Sequence, residues 1–203
     1  MMRARFALEV PLALAISVPE FAALRRARPR PMGLAPVPAG WPRILGTHGW
    51  GPGLTDLSLI YGYPLGLDQP ALTVGTCFSE ANCELISLEQ VLGRAHVADE
   101  AVARGDPDYG RPIYSPALPG EEAPLPPPAE VRHTERTLLV DGGQRTVTVT
   151  SWREYGAVRF RQDEIVVTAV ARHGLPADLS FGWVEDLRPY FAGQRRFFLS
   201  WLR

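Results

Sequence analysis

At 203 residues with 46% hydrophobic composition, the chain is long enough for one ordinary domain plus an appendage, or for two small ones, and can bury a sizeable core. The net charge of −1 is unevenly spread: residues 1–50 hold seven Arg against Glu9 and Glu20, while residues 51–203 hold 14 Arg against 20 acids. A basic arm on an acidic body argues against a specific nucleic-acid binder, which needs positive charge on a folded face, and no run approaches the roughly 18 apolar residues that cross a membrane.

Lysine is absent, and Pro (20) and Gly (19) are abundant, as GC-rich codon usage would produce. Residues 1–43 read as a Pro/Arg-rich arm, disordered or extended. Within it, Phe6–Val18 follows Arg3 and Arg5 in the manner of a signal peptide, but Glu9 and Pro11 interrupt it and no small-x-small cleavage pattern follows. A cytoplasmic protein is expected, with export as the alternative. Translation from Met32 would account for the arm's different charge.

Residues 44–105 form an N-terminal half. Two short strands are expected near 56–61 and 71–76, joined by the turn-rich stretch from Gly62 to Gly66. Cys77 and Cys83, in C-F-S-E-A-N-C, lie too far apart for the usual zinc-ligand pair and make no disulfide framework, so reduced, partly buried thiols are expected, with a small disulfide loop in an exported protein as the alternative. Ser87-Leu88-Glu89-Gln90 is a capping box that opens a helix over 87–104. Leu88, Val91, Leu92, Ala95, Ala98 and Val102 recur on one face. Residues 106–130 then read as a Pro-rich strap or linker, with eight prolines between Asp106 and Ala129.

Residues 131–203 carry the clearest pattern. Four runs, Thr134–Val140, Gln144–Arg153, Ala157–Arg161 and Glu164–Arg172, are separated by short polar or glycine-bearing turns, which defines an antiparallel meander. Alternation sets Val158 and Phe160 against Arg159 and Arg161 and gives the arginines a solvated face. Ile165–Val170 is apolar on both faces, the mark of a central or covered strand. A C-terminal helix follows, with Asp186 as cap, Pro189 in its first turn and Leu187, Tyr190, Phe191, Phe198, Trp201 and Leu202 as its stripe. The expected class is α+β: a meander of about four strands with a C-terminal helix, beside an N-terminal half with short strands and one amphipathic helix. Residues 44–203 as one domain is the alternative division.

Candidate chemistry is sparse. His96, Asp99 and Glu100 share one end of the first helix, where an imidazole and a carboxylate four residues apart can share a metal, act as an oriented base toward a ligand, or form a solvent-facing ion pair. His48 and Trp50 sit in a glycine-rich stretch where backbone could approach a ligand and an indole could stack on it. No phosphate-binding, nucleophile-elbow or metal-ligand motif is present, so no catalytic residue, metal or cofactor is assigned. The leading expectation is a non-catalytic protein that binds another protein in an accessory, inhibitor or immunity-type role. Phe197, Phe198 and Trp201 are its candidate interface, because aromatic side chains are enriched at interface hot spots. A small-molecule-binding domain or enzyme with a pocket near His48–Trp50, and a homo-oligomeric subunit, are the alternatives.

Overall fold

The computed structural model describes residues 30–50, 54–63, 67–78, 86–104 and 125–193, with the side chains of 47–50, 54, 55 and 102 left aside. Nine strands run through these residues: β1 Met32–Leu34, β2 Arg43–Trp50, β3 Leu54–Gly62, β4 Ala71–Cys77, β5 Arg132–Val140, β6 Gly143–Trp152, β7 Tyr155–Gln162, β8 Ile165–Arg172 and β9 Ser180–Trp183. Helix α1 is Leu88–Ala103, a 3-10 turn spans Pro128–Glu130, and residues 188–193 are helical and are labelled α2.

All nine strands belong to one curled mixed sheet in the order β1-β9-β5-β6-β7-β8-β4-β3-β2, antiparallel throughout except for β5 and β9. The meander β5–β8 is its centre, with β9 and β1 added on one side and β4, β3 and β2 on the other. The expectation of about four strands therefore undercounts the sheet. The strands in the N-terminal half pair as part of it, β4 antiparallel to β8 from Leu72↔Ala171 to Cys77↔Val166.

The missed strands have weak local signals for identifiable reasons. β1 and β9 are only three and four residues long. β2, R-I-L-G-T-H-G-W, reads as a loop because of its glycines. Yet a side chain at Gly46 would overlap the Ser58 hydroxyl and press on Ile60, so this glycine marks close packing on the neighbouring strand rather than a turn.

The two faces of the sheet are buried differently. The concave face holds the main core, including Leu59, Val74, Val158, Phe160, Ile165, Val167 and Phe181, with Phe160 and Phe181 edge-on at 5.0 Å. Against the convex face of β6–β8, α1 lays Val91, Leu92 and Ala95 on Trp152, Tyr155, Ala157 and Val170. β8 is buried at all eight positions because both faces are covered, as the apolar residues on both of its faces require. Arg159 lies on the covered side as well, which corrects its assignment to a solvated face. Its guanidinium donates to the Ile86 carbonyl (2.7 Å) and the Thr168 hydroxyl (2.8 Å), and burial lowers its pKa. Arg161, one register step on, is exposed as expected.

Local chemistry accounts for the element ends. The Ser87 amide donates to Gln90 Oε1 (2.9 Å) and the Gln90 amide to Ser87 Oγ (3.2 Å), the reciprocal bonds of a capping box. Ser87→Ala should cost about 1 kcal/mol in urea denaturation, and an unchanged midpoint would show that tertiary packing alone holds this end of α1. The β5–β6 turn places Asp141 and Gly142 at φ 51 and 77, the two positive values that a tight hairpin of matching twist demands. Asp186 Oδ1 accepts from the Arg188 amide at 3.0 Å and caps α2, whose Tyr190 is buried beside Leu187 in the core.

The sheet curls far enough to bring β1 over β4 and β3. The outward edge of β1 meets side chains there instead of another strand: the Met32 amide donates to Thr76 Oγ1 (3.2 Å) and the Leu34 amide to Tyr61 Oη (3.0 Å). Tyr61 Oη is also 2.8 Å from Tyr190 Oη, so one buried phenol links β1, β3 and α2. Burial raises the pKa of Tyr61, and the neighbouring Tyr190 phenol adds to the cost of ionising it. At the β8–β9 connection, Arg136 donates to the carbonyls of Leu175, Pro176 and Ala177 (3.2, 2.7 and 2.9 Å) and ties that segment to β5.

Cys77 is disulfide-bonded, which corrects the expectation of reduced thiols. The other cysteine of the chain, Cys83, lies outside the described residues. No helix among the described residues is long and apolar enough to cross a membrane.

Candidate functional site

Among the described residues, a dense gathering of polar and aromatic groups lies where the C-terminal half of α1 meets the ends of β6, β7 and β8. Helical spacing turns His96, Asp99 and Glu100 toward this end of the sheet. The β6–β7 hairpin delivers Trp152, Arg153 and Tyr155, and β8 delivers Arg172 as its last residue.

Asp99 is its anchor. Both carboxylate oxygens take hydrogen bonds from Arg172, Nε to Oδ2 at 2.7 Å and Nη2 to Oδ1, while Tyr155 Oη donates to Oδ2 at 2.8 Å. The pair is largely withdrawn from water, with side chains 7% (Arg172) and 18% (Asp99) exposed. A planar guanidinium meeting a carboxylate with two parallel donors is the strongest geometry such a pair can adopt. Arg172 Nη1 also donates to the Gln69 carbonyl at 3.2 Å, which connects the pair to the turn before β4. Tyr155 is driven far above its usual range, first by burial and then by its bond to Asp99, so it stays a donor.

His96 stands edge-on to Trp152 (5.1 Å between ring centres) and to Tyr155 (5.9 Å). Its Nε2 is 2.9 Å from Arg153 Nη1 and 3.3 Å from Glu100 Oε1. Arg153 in turn covers the Trp152 ring at 4.7 Å, and Trp152 Nε1 donates to Glu130 Oε2 at 2.9 Å. The groups therefore form one connected network from Glu130 to Gln69. Among the described residues, no three His, Cys, Asp or Glu side chains are placed to hold a metal ion.

Sequence spacing picked out His96, Asp99 and Glu100, and the structure brings all three to this junction. It does not bring His48 and Trp50 to it. Both are on β2, in register with Leu57 and Leu54 of β3, and β3 and β4 intervene between β2 and the strand that carries Arg172. Phe197, Phe198 and Trp201 lie outside the described residues. Trp152, Arg153, Tyr155 and Arg172 escape a local reading because they fall at hairpins and strand ends, and Glu130 because it closes the Pro-rich strap. The one signal that could have found Arg172 is its place at the end of a strand buried on both faces, where an arginine needs a partner.

No family model, no curated protein and no solved structure matches this chain.

Proposed function

We propose that the protein works by binding another protein, in an accessory, inhibitor or immunity-type role, rather than by catalysis. The observation that carries this reading is the commitment of the cluster at the α1 junction to itself: Arg172 and Tyr155 take three of the four lone-pair positions of the Asp99 carboxylate, and the side chain is only 18% exposed. A general base must keep a lone pair within reach of a substrate proton. Asp99 instead fastens α1 to the sheet.

A surface of the kind that docks supports the same reading. On the convex side of the β5–β6 hairpin, beyond the reach of α1, Leu139 is 49% exposed next to Gln144, with Thr137, Thr146 and Thr148 beside it. The centre of an interface is depleted in charge, and the strip is uncharged across the Leu139–Gln144 and Thr137–Thr146 pairs, with Glu135 entering only opposite Thr148. The disulfide at Cys77 favours the exported alternative for the compartment, because such bonds persist where the surroundings are oxidising.

The test is affinity capture from the source cells with the intact chain and with Leu139→Asp, which alters an exposed position and should leave stability within about 0.5 kcal/mol. One protein retained by the parent and lost with the variant is the expected result. Identical captured sets would overturn a role for this face. Self-association of the parent in light scattering, abolished by the substitution, would show that the bound protein is a second copy.

A further inference from the structure

One nitrogen at the α1 junction has two neighbours that make opposite demands on it. Arg153 Nη1 can only donate, so the 2.9 Å contact requires a lone pair on His96 Nε2 and places the imidazole proton on Nδ1. Glu100 Oε1, 3.3 Å from the same atom, can only accept when ionised, so that contact is a hydrogen bond only if Nε2 carries a proton. Nε2 cannot satisfy both at once.

We propose that His96 is a proton-operated latch: neutral, it holds the β6–β7 turn against α1 through Arg153, and protonated, it releases Arg153 and clasps Glu100. Histidine is the side chain whose charge changes near neutral pH, so mild acidification is the natural trigger.

The surroundings are charged on several sides, and each group acts in a definable direction. On α1 itself, Glu100 favours the protonated state, while Arg104, 3.9 Å from Glu100, competes for that carboxylate. Asp99 is neutralised by Arg172 of β8. The β6–β7 turn contributes Arg153, which opposes protonation, and Glu154, which favours it. β7 contributes the neutral Tyr155 phenol and β6 the Trp152 ring, whose indole engages Glu130. Arg153 is a cation in direct contact with the imidazole, and it has an alternative resting place, since it already lies over the Trp152 ring. Release therefore needs no unfolding. It frees the guanidinium of an exposed residue and so changes the charge that this end of the sheet presents.

The experiment is an NMR titration of the intact protein between pH 5 and 8, with the His96 ring signals identified by their loss in His96→Gln. In the parent, the Trp152 indole and Arg153 guanidinium signals should follow the His96 ring with one shared midpoint. Glu100→Gln should move that midpoint to lower pH and Arg153→Gln to higher pH. Each shift should amount to about a two- to fivefold change in proton affinity, the size of a part-exposed ion pair. Signals of Trp152 and Arg153 that ignore the His96 transition, or a midpoint unmoved by both substitutions, would overturn the latch. A purely structural His96 would give that second pattern.

Discussion

Asp99→Ala should destabilise the fold by about 3–5 kcal/mol, because it leaves the Arg172 guanidinium buried without its counter-charge. The penalty comes less from the lost attraction than from the stranded ion. Arg172 is 7% exposed and closes the end of a strand covered on both faces, so it has no short route back to water. Tyr155 loses its acceptor at the same time and becomes a second buried donor without a partner. For a domain of this size the change corresponds to a fall in melting temperature of about 10 °C. Asp99→Leu combined with Arg172→Met should cost far less than the two single changes added together, because removing both charges removes the desolvation penalty that each leaves behind. Additive losses in urea denaturation would refute this account and assign the stabilisation to packing alone.

That pair also shows how far the sequence can be read. Asp99 and His96 were visible because helical periodicity specifies a face, and the capping box specified where the helix begins. The meander was visible because its hairpins are local, with turn residues and alternation both within a few positions. What escaped was everything set by distant pairing. Nothing near Arg172 announces Asp99, 73 residues away, and nothing in M-G-L announces that Met32–Leu34 will pair with Trp183–Phe181. Arg159 was misplaced for the same reason: alternation says that it opposes Val158 and Phe160, but only the packing of α1 decides whether that second face is wet. The glycines of β2 misled most directly. They reflect contact with a neighbouring strand, which a local reading takes for a turn.

The closure of the sheet gives the second large effect. Tyr61→Phe should cost about 1–3 kcal/mol for the stranded Leu34 amide alone, with a further loss from Tyr190, whose hydroxyl is left without its buried partner. Tyr190→Phe should cost less, because Tyr61 Oη still accepts from Leu34. The pH dependence follows from the same contacts. Tyr61 and Tyr190 have folded-state pKa values raised above the usual phenol range, first by burial. A group with a raised folded-state value contributes stability that is complete below its unfolded value, about 10 for tyrosine. That contribution is lost as pH climbs past it. The urea midpoint of the parent should therefore drop as pH rises from about 10 to 12, and the drop should be shallower in Tyr61→Phe. The decisive comparison adds Gly33. A methyl group there would overlap the Tyr61 hydroxyl and press on Val184 (2.8 Å) and Leu59 (3.2 Å), an overpacking cost of about 1–3 kcal/mol. If β1 is held by contact with that oxygen, Gly33→Ala and Tyr61→Phe should cost less together than the sum of their separate costs, because deleting the hydroxyl makes room for the methyl. Strict additivity would mean that β1 is held by its pairing with β9 and not by the phenol beneath it.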